Sequence, residues 1–531
     1  MVGRVRRLGL IGLIAVVTAV VIPTGVGAVP LTASPPVEAS AANPLADCPP
    51  DGSGVNFLDS EVEPWLEVNP TDPDNVVAYY QQDRYSNGGA KGNVAAVSFD
   101  GGASFVQVVP PQDTRCTDGG QFDRASDPWI SFGPDGTLHA MSLVTDMDRP
   151  TGGFGDNGMV YNRSTDGGLT WEPPILLIMD TDRRFLNDKN SLTADPNDAD
   201  YVYAVWDRVQ VSAGSIINPE NVVGLGFKGP VYFARSTDGG DSFEPPRKIY
   251  ETGANKQTIG NQIVVRPQGE LFDFFGDIVN ASRRRGGIGP ILLSYMVSTD
   301  KGDTWSKPTS IDDMLPMTLF RRDSTIDTEQ ADCPDPNLTG ACPIRGGDLL
   351  PEVAVDASNG NLYAVWMDAR FSFFDTGAFR YDSIAFTQST DGGRTWSTPI
   401  KVNLTPTSEP VDDQQAFTPS VDVAGDGTVT VTYYDFRENT PDTATLLTRH
   451  YAVHCDAGED CADPASWDEE TPVGDAFDIR EAPFARGYFL GDYMGLDHVT
   501  GMGDGAPVFD AGFGSTDGSG PASIFVSELT P

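Results

Sequence analysis

Basic side chains are scarce in this chain. Its 531 residues hold 35 Lys+Arg against 76 Asp+Glu, a formal net charge of −41. A nucleic-acid partner needs a basic footprint to neutralise phosphate, so DNA and RNA are excluded as partners, and adsorption to anionic lipid is disfavoured. Histidine is scarcer still. His139, His450, His454 and His498 stand at no metal-ligand spacing, and none of the six cysteines belongs to a CxxC pair. The sequence therefore predicts no metal and no cofactor. No Gly-x-Ser-x-Gly elbow comes with a suitably placed His, which removes support for a serine hydrolase. Long apolar runs are missing beyond the N terminus. There, Arg4, Arg6 and Arg7 precede an apolar stretch from Leu8 to Ile22, Pro23 ends it, and Val26-Gly27-Ala28 offers small residues for cleavage. The run is short against the roughly 20 residues a bilayer span needs. It has the layout of a secretory signal peptide. Residues 1–28 are accordingly read as a signal peptide, 29–54 as a flexible leader and 55–531 as one domain. The product is expected to be secreted, extracellular and monomeric, with no membrane attachment after signal cleavage.

What the chain has in quantity is turn residues, 57 Gly and 41 Pro, with 39% hydrophobic residues to build a large core. The six cysteines of an exported chain suggest three disulfides, and proximity favours Cys333–Cys342, Cys455–Cys461 and hence Cys48–Cys116 among the possible pairings. The turns are organised. An octet recurs as SFDGGASF (Ser98–Phe105), STDGGLTW (Ser164–Trp171), STDGGDSF (Ser236–Phe243), STDKGDTW (Ser298–Trp305) and STDGGRTW (Ser389–Trp396). Its Asp residues, Asp100, Asp166, Asp238, Asp300 and Asp391, lie 66, 72, 62 and 91 positions apart. A degenerate copy spans Cys455–Trp467 and a truncated one Ser515–Gly518. The phrase has the physics of a hairpin turn. The carboxylate accepts backbone N–H groups of its own turn, Gly permits positive φ, and the closing aromatic packs back on the sheet. An acid repeated in every unit does a job common to every unit, so these five aspartates are assigned a structural role.

Around each octet lies a pair of strands, as in Trp65–Tyr80, Ser191–Trp206, Glu352–Trp366 and Ser420–Tyr434, with equivalent starts near Trp129, Gln262 and Tyr493. Each is an alternating apolar strand, a tight Pro/Asp/Asn/Gly turn and a second strand rich in Val, Tyr and Trp. The pattern predicts an all-β chain of four-stranded antiparallel meanders with the octet between strands three and four. A four-stranded sheet must bury both faces, and radial packing of such sheets is a β-propeller. Seven strand-pair starts favour seven blades, six being the alternative. The last unit is a strand short, which Val55–Leu58 could supply.

The Ser-x-Asp-x-Gly-x-Thr-Trp phrase resembles the Asp-box of sialidase-type (bacterial neuraminidase repeat) β-propellers, over roughly residues 60–530. The resemblance implies a ligand face opposite the Asp-boxes. That face carries the long connections Asp207–Gly229, Asp277–Gly289 and Asp368–Asp382 and the insertion Ile311–Asp348, and long loops on a rigid scaffold are where binding concentrates. Strand two repeatedly ends in an Asp–Arg pair: Asp83-Arg84, Asp148-Arg149, Asp207-Arg208, Asp368-x-Arg370 and Asp435-x-Arg437. Two readings stand side by side. Either guanidinium forks converge on a carboxylate, as three arginines do in sialidases, or each pair locks a blade to its neighbour.

By analogy with the Tyr nucleophile, Glu activator and Asp acid/base of sialidases, position singles out Tyr493, Glu352 and Asp127 for catalysis and Arg208, Arg370 and Arg437 for substrate binding. The family's Arg-Ile-Pro motif does not occur between Val29 and Ser98. Two functions follow: a secreted sialidase-like glycoside hydrolase acting on a sialic-acid-like glycan, or a non-catalytic propeller that binds a glycan or glycoprotein on its loop-rich face.

Overall fold

The structure is a computed structural model that describes residues 31–148, 153–211, 227–279, 290–316, 344–372, 381–442, 444–467, 469–499 and 507–531. Its regular structure is mainly antiparallel β, in seven meanders among the described residues, with short parallel pairings made by connections. The first two are Glu61–Val68, Val76–Arg84, Ala90–Ser98 and Val106–Val108, then Arg124–Phe132, Leu138–Asp148, Gly153–Ser164 and Ile175–Asp180. The third runs Phe185–Ala194, Val202–Val211, Val231–Ser236 and Arg247–Tyr250, the fourth Lys256–Val265, Leu271–Val279, Ile291–Ser298 and Thr309–Met314. The fifth is Glu352–Val355, Leu362–Asp368, Ser383–Ser389 and Ile400–Lys401, the sixth Ala416–Val423, Val429–Asp435, Leu447–Cys455 and Glu470–Asp478. The seventh begins with Gly495–His498, Phe509–Ser515 and Ser523–Thr530. Each first strand packs against the first strand of the next meander, and that of the seventh packs against that of the first.

The fourth strand of the seventh meander comes from the opposite end of the chain. Thr32 and Ala33 pair with Thr530 and Leu529, and Val37 and Glu38 with Val526 and Phe525. This corrects the expectation of a flexible leader and of closure by Val55–Leu58, in which Asn56 makes only an isolated bridge to Tyr85. The rest of that N-terminal segment is fastened as well. The Cys48–Cys116 disulfide forms, and buried Arg124 binds Asp51 at 2.6 Å. Cys455–Cys461 also forms. Cys333–Cys342 and most of the insertion lie outside the described residues.

The octets are self-contained turns. Asp166 accepts from the Ser164 hydroxyl (2.9 Å), the Thr170 N–H (2.8 Å) and the Thr170 hydroxyl (2.6 Å). The same three bonds recur at Asp100, Asp238, Asp300 and Asp391. Gly167 sits at φ 71°, and where the fourth octet substitutes Lys301 the φ is still 56°. That lysine offsets its strained backbone by a 2.7 Å bond to the buried carboxylate of Asp195 in the third meander. Third-strand arginines reach forward to the next octet, Arg163 to the Gly239 carbonyl (2.9 Å) and Arg235 to the Lys301 carbonyl (2.7 Å). Asp166→Ala is therefore expected to lower the unfolding free energy by about 1 kcal/mol, read as a shift in urea midpoint at constant slope. Function should be unchanged.

A second recurring device shapes the other end of the first strands. The pairing of strand one with strand two slips at Val62/Trp65, Ser126/Trp129, Asp188/Ser191, Ile259/Gln262 and Phe417/Ser420. Within each slip one residue is left-handed: Glu63 (φ 56°), Asp127 (46°), Lys189 (47°), Gly260 (66°) and Thr418 (48°). A bulge re-aims a side chain, and a non-Gly residue held there stores roughly 1–2 kcal/mol of strain. In three consecutive meanders the re-aimed residue is ionisable, and these three side chains meet.

Candidate functional site

Lys189 is the hub. Its Nζ donates to Asp127 Oδ1 (2.9 Å), Asp492 Oδ2 (2.8 Å) and Glu63 Oε1 (3.4 Å). Arg345 meets Asp492 from the other side, with Nε on Oδ1 at 3.1 Å and Nη2 on Oδ2. Its guanidinium also stacks on the Phe489 ring at 4.1 Å, over which Arg84 lies at 4.9 Å. Ile344-Arg345 is placed by a short parallel pairing with Tyr488-Phe489, so the connections before the fifth and seventh first strands hold each other. Glu63, Asp127, Lys189 and Arg345 open onto a cleft that Arg84, Asp188 and Arg486 also line, with Leu143, Phe154 and Leu186 as its apolar wall.

The electrostatics divides the carboxyl groups. Burial pushes Glu63 up despite Lys189, and burial likewise raises Asp127 and Asp188. Asp492 is as buried, but Arg345 and Lys189 outweigh the burial and hold it below the usual carboxylate range. For Lys189, burial opposes its charge and Asp127, Asp492 and Glu63 overcome it, so it stays an ammonium. Among the guanidinium groups, burial lowers Arg84 to about 10, and the charge of Arg345, followed by burial, lowers Arg486 to about 10. Cations that depress one another stand close together. Carboxyls with opposed protonation preferences beside them are the arrangement from which acid and base roles are built.

Of the residues expected from sequence, Asp127 is in this cleft. Tyr493 lies buried beneath it, its ring edge-on to Trp129 at 5.4 Å and Trp65 at 6.0 Å, its hydroxyl donating to the Pro128 carbonyl at 2.9 Å. Burial, then Glu63, Asp127, Asp492 and Glu352, push its phenol well up. Glu352 is buried, accepts from Gln262 Nε2 at 2.9 Å and is raised by burial to about 8. The three expected arginines do not line the cleft. Arg208 binds Asp180 (2.7 Å) of the preceding meander and the Tyr232 hydroxyl (3.2 Å). Arg370 binds Asp368 (2.9 Å) and Asp312 (3.0 Å), the latter again in the preceding meander. Arg437 binds Asp435 and Glu470. They are spent on locking strands and neighbouring meanders.

The cations that do converge are Arg84, from the first of the Asp–Arg pairs, Lys189, Arg345 and Arg486. Sequence reasoning singled out none of these four as a site residue, nor Glu63 or Asp492. A signal existed for two of them, since Arg345-Gly346 and Arg486-Gly487 both precede a first strand by a few residues.

No family model matches the chain. It is 25% identical over 251 residues to a xyloglucanase of Paenibacillus sp., a stretch that is 46% of this chain and 20% of that protein. The chain thus spans about a fifth of the curated relative it matches. Among solved structures it is similar to a protein of unknown function from Dyadobacter fermentans (13% identity, 90% of this chain and 98% of that one, TM-score 0.45). It is also similar to an α-L-arabinanase of Penicillium chrysogenum (11%, 93% and 98%, TM-score 0.43) and a Hadza microbial sialidase (14%, 74% and 65%, TM-score 0.40).

Proposed function

We propose that the chain is a secreted glycoside hydrolase on a seven-bladed β-propeller, cleaving a glycan whose carboxylate is held in the Glu63–Arg486 cleft. Its fold is supported by the seven meanders and by the contacts between successive first strands. The observation that carries the function is the convergence of Arg84, Lys189, Arg345 and Arg486 on one cleft of an otherwise strongly acidic chain, beside Asp127 and Glu63, whose carboxyl groups burial raises. Guanidinium groups bind a carboxylate through two N–H donors at once, which fixes orientation as well as charge. Hydrolysis then requires a proton for the leaving oxygen and a carboxylate on the opposite side of the sugar. Asp127 supplies the first. Glu63, joined to it through Lys189, supplies the second. The local likeness to a xyloglucanase is to a protein named for cleaving a glycan, and it supports that class without specifying the sugar.

A second reading keeps Tyr493 as nucleophile and Glu352 as its activator, motivated by the electrostatic influence of Glu352 on the Tyr493 phenol. The geometry favours the carboxyl pair, since a nucleophilic phenol needs its proton made easier to remove, and here it is made harder. Purified mature chain assayed on fluorogenic α-sialoside and glucuronide, beside the neutral galactoside, is expected to turn over a carboxylate-bearing substrate and leave the neutral one. Tyr493→Phe should retain activity within about tenfold. A loss on the order of 10³ or more would instead make Tyr493 the nucleophile. No turnover on either acidic substrate, with binding of the acidic glycan retained, would return the chain to the non-catalytic alternative.

A further inference from the structure

We infer that a second, separate site exists on the ring of first strands: a divalent transition-metal site built from Asp422, Asp497 and His498. One ligand atom from each of Asp422, Asp497 and His498 falls within 4.8 Å of the others. His498 Nδ1 is 2.8 Å from Asp422 Oδ2 and 3.5 Å from Asp497 Oδ1. The three come from the first strands of the sixth and seventh meanders, which pack on each other. The first strand of the first meander, which carries Glu67, lies against the seventh. Glu67 interacts electrostatically with both Asp497 and Asp422.

Three features point to a metal. The donors are mixed, one imidazole and two carboxylates, the set that suits zinc and its first-row neighbours rather than calcium, which takes oxygen alone. The ligands are also oriented by the backbone and a ring. Asp497 Oδ2 accepts the Val68 N–H at 2.7 Å and its Oδ1 the His498 backbone N–H at 2.9 Å, and nearby Glu67 Oε1 accepts Trp65 Nε1 at 3.2 Å. Such outer hydrogen bonds hold metal ligands in place. Finally, among the described residues no Lys or Arg pairs with Asp422 or Asp497, and the His498 imidazole is the group that meets them. The ligand side chains are about a fifth exposed (Asp422 and Asp497 19%, His498 25%), so an ion has a way in. The site is distinct from the cleft, since Glu67 lies four residues beyond Glu63, roughly 13 Å along the same strand. It does not depend on the glycan reading.

The test uses the full mature chain, stripped with a chelator and dialysed against micromolar Zn²⁺, with bound metal measured by mass spectrometry and affinity by calorimetry. About one Zn²⁺ per chain is expected, with a thermal midpoint that rises as Zn²⁺ is added. His498→Gln and Asp422→Asn, each close in size to the original, should weaken binding at least about tenfold. Each variant's far-UV spectrum and metal-free midpoint, compared with wild type, establish that it has folded. The inference is overturned if wild type binds no Zn²⁺, or if both folded variants bind it as wild type does. It is equally overturned if only Ca²⁺ binds and His498→Gln leaves that binding unchanged.

Discussion

Asp127→Asn is expected to lower kcat on the carboxylate-bearing glycoside by a factor of about 10²–10⁴, the usual contribution of a positioned general acid, with KM changed little. The substitution is nearly isosteric. The amide oxygen can still accept from Lys189 Nζ, which Asp127 now does at 2.9 Å, and the backbone carbonyl that binds Asn190 Nδ2 at 3.0 Å is untouched. What is lost is the transferable proton. Burial raises Asp127, and a general acid must be protonated, so wild-type activity is present below that raised pKa and falls as pH rises through it. The variant should lose the alkaline limb along with the rate. Because Lys189 ties Asp127 to Glu63 and Asp492, the limb reports the group rather than one residue. An Asp127→Asn enzyme with kcat within a factor of three of wild type, or with the alkaline limb intact, would remove Asp127 from the chemistry. A parallel loss in Glu63→Gln with a shift of the acidic limb would place the opposing carboxylate.

The elements legible in the sequence were those written locally and more than once. Each octet holds its Asp, its Ser or Thr and its glycines within eight residues, and the three bonds that fix the Asp side chain are made inside that span, as at Asp166 with Ser164 and Thr170. Strand alternation is local too, hence the antiparallel meanders. What closes the seventh meander was not legible, because Thr32–Ala33 and Val37–Glu38 pair with a strand nearly 500 residues away and carry no repeat. Recurrence also misled in one respect. Arg208, Arg370 and Arg437 drew notice because their Asp–Arg motif repeats, yet each is held by an acid of its own or the preceding meander. The residues that gather in the cleft are the departures from the repeat. At one bulge position the chain carries Glu63, Asp127 and Lys189 where two other meanders carry Gly260 and Thr418. A position fixed in backbone but variable in chemistry is a better pointer to a site than a repeated residue. The same logic covers the histidines. His498 has no metal-like spacing in sequence because its partner Asp422 stands 76 residues earlier, brought beside it by packing of adjacent first strands.

Lys189→Met should be the most destabilising single substitution in the cleft, lowering stability by about 3–5 kcal/mol at neutral pH. Methionine fills the volume of the aliphatic stem, so the loss is electrostatic. Asp127, Glu63 and Asp492 lose the ammonium they share, and only Asp492 retains a cation, Arg345, at hydrogen-bonding distance. The pH dependence follows from the direction of each shift. Lys189 is raised, so its wild-type contribution is fully present below the ordinary lysine pKa and is lost only as pH climbs through its higher folded value. Glu63 and Asp127 are raised already, which favours the folded state below the ordinary carboxylate pKa and penalises it as pH rises through their folded values. Removing Lys189 pushes both further up and brings Asp492 toward them. The deficit should therefore be largest at pH 7.5 and shrink by pH 5, where protonation relieves the unpaired charge. Urea unfolding of wild type and variant at the two pH values measures it directly. A deficit that is the same at both, or larger at pH 5, would mean that the ammonium does not hold these carboxyls together, and with it would go the electrostatic basis for the Asp127–Glu63 assignment.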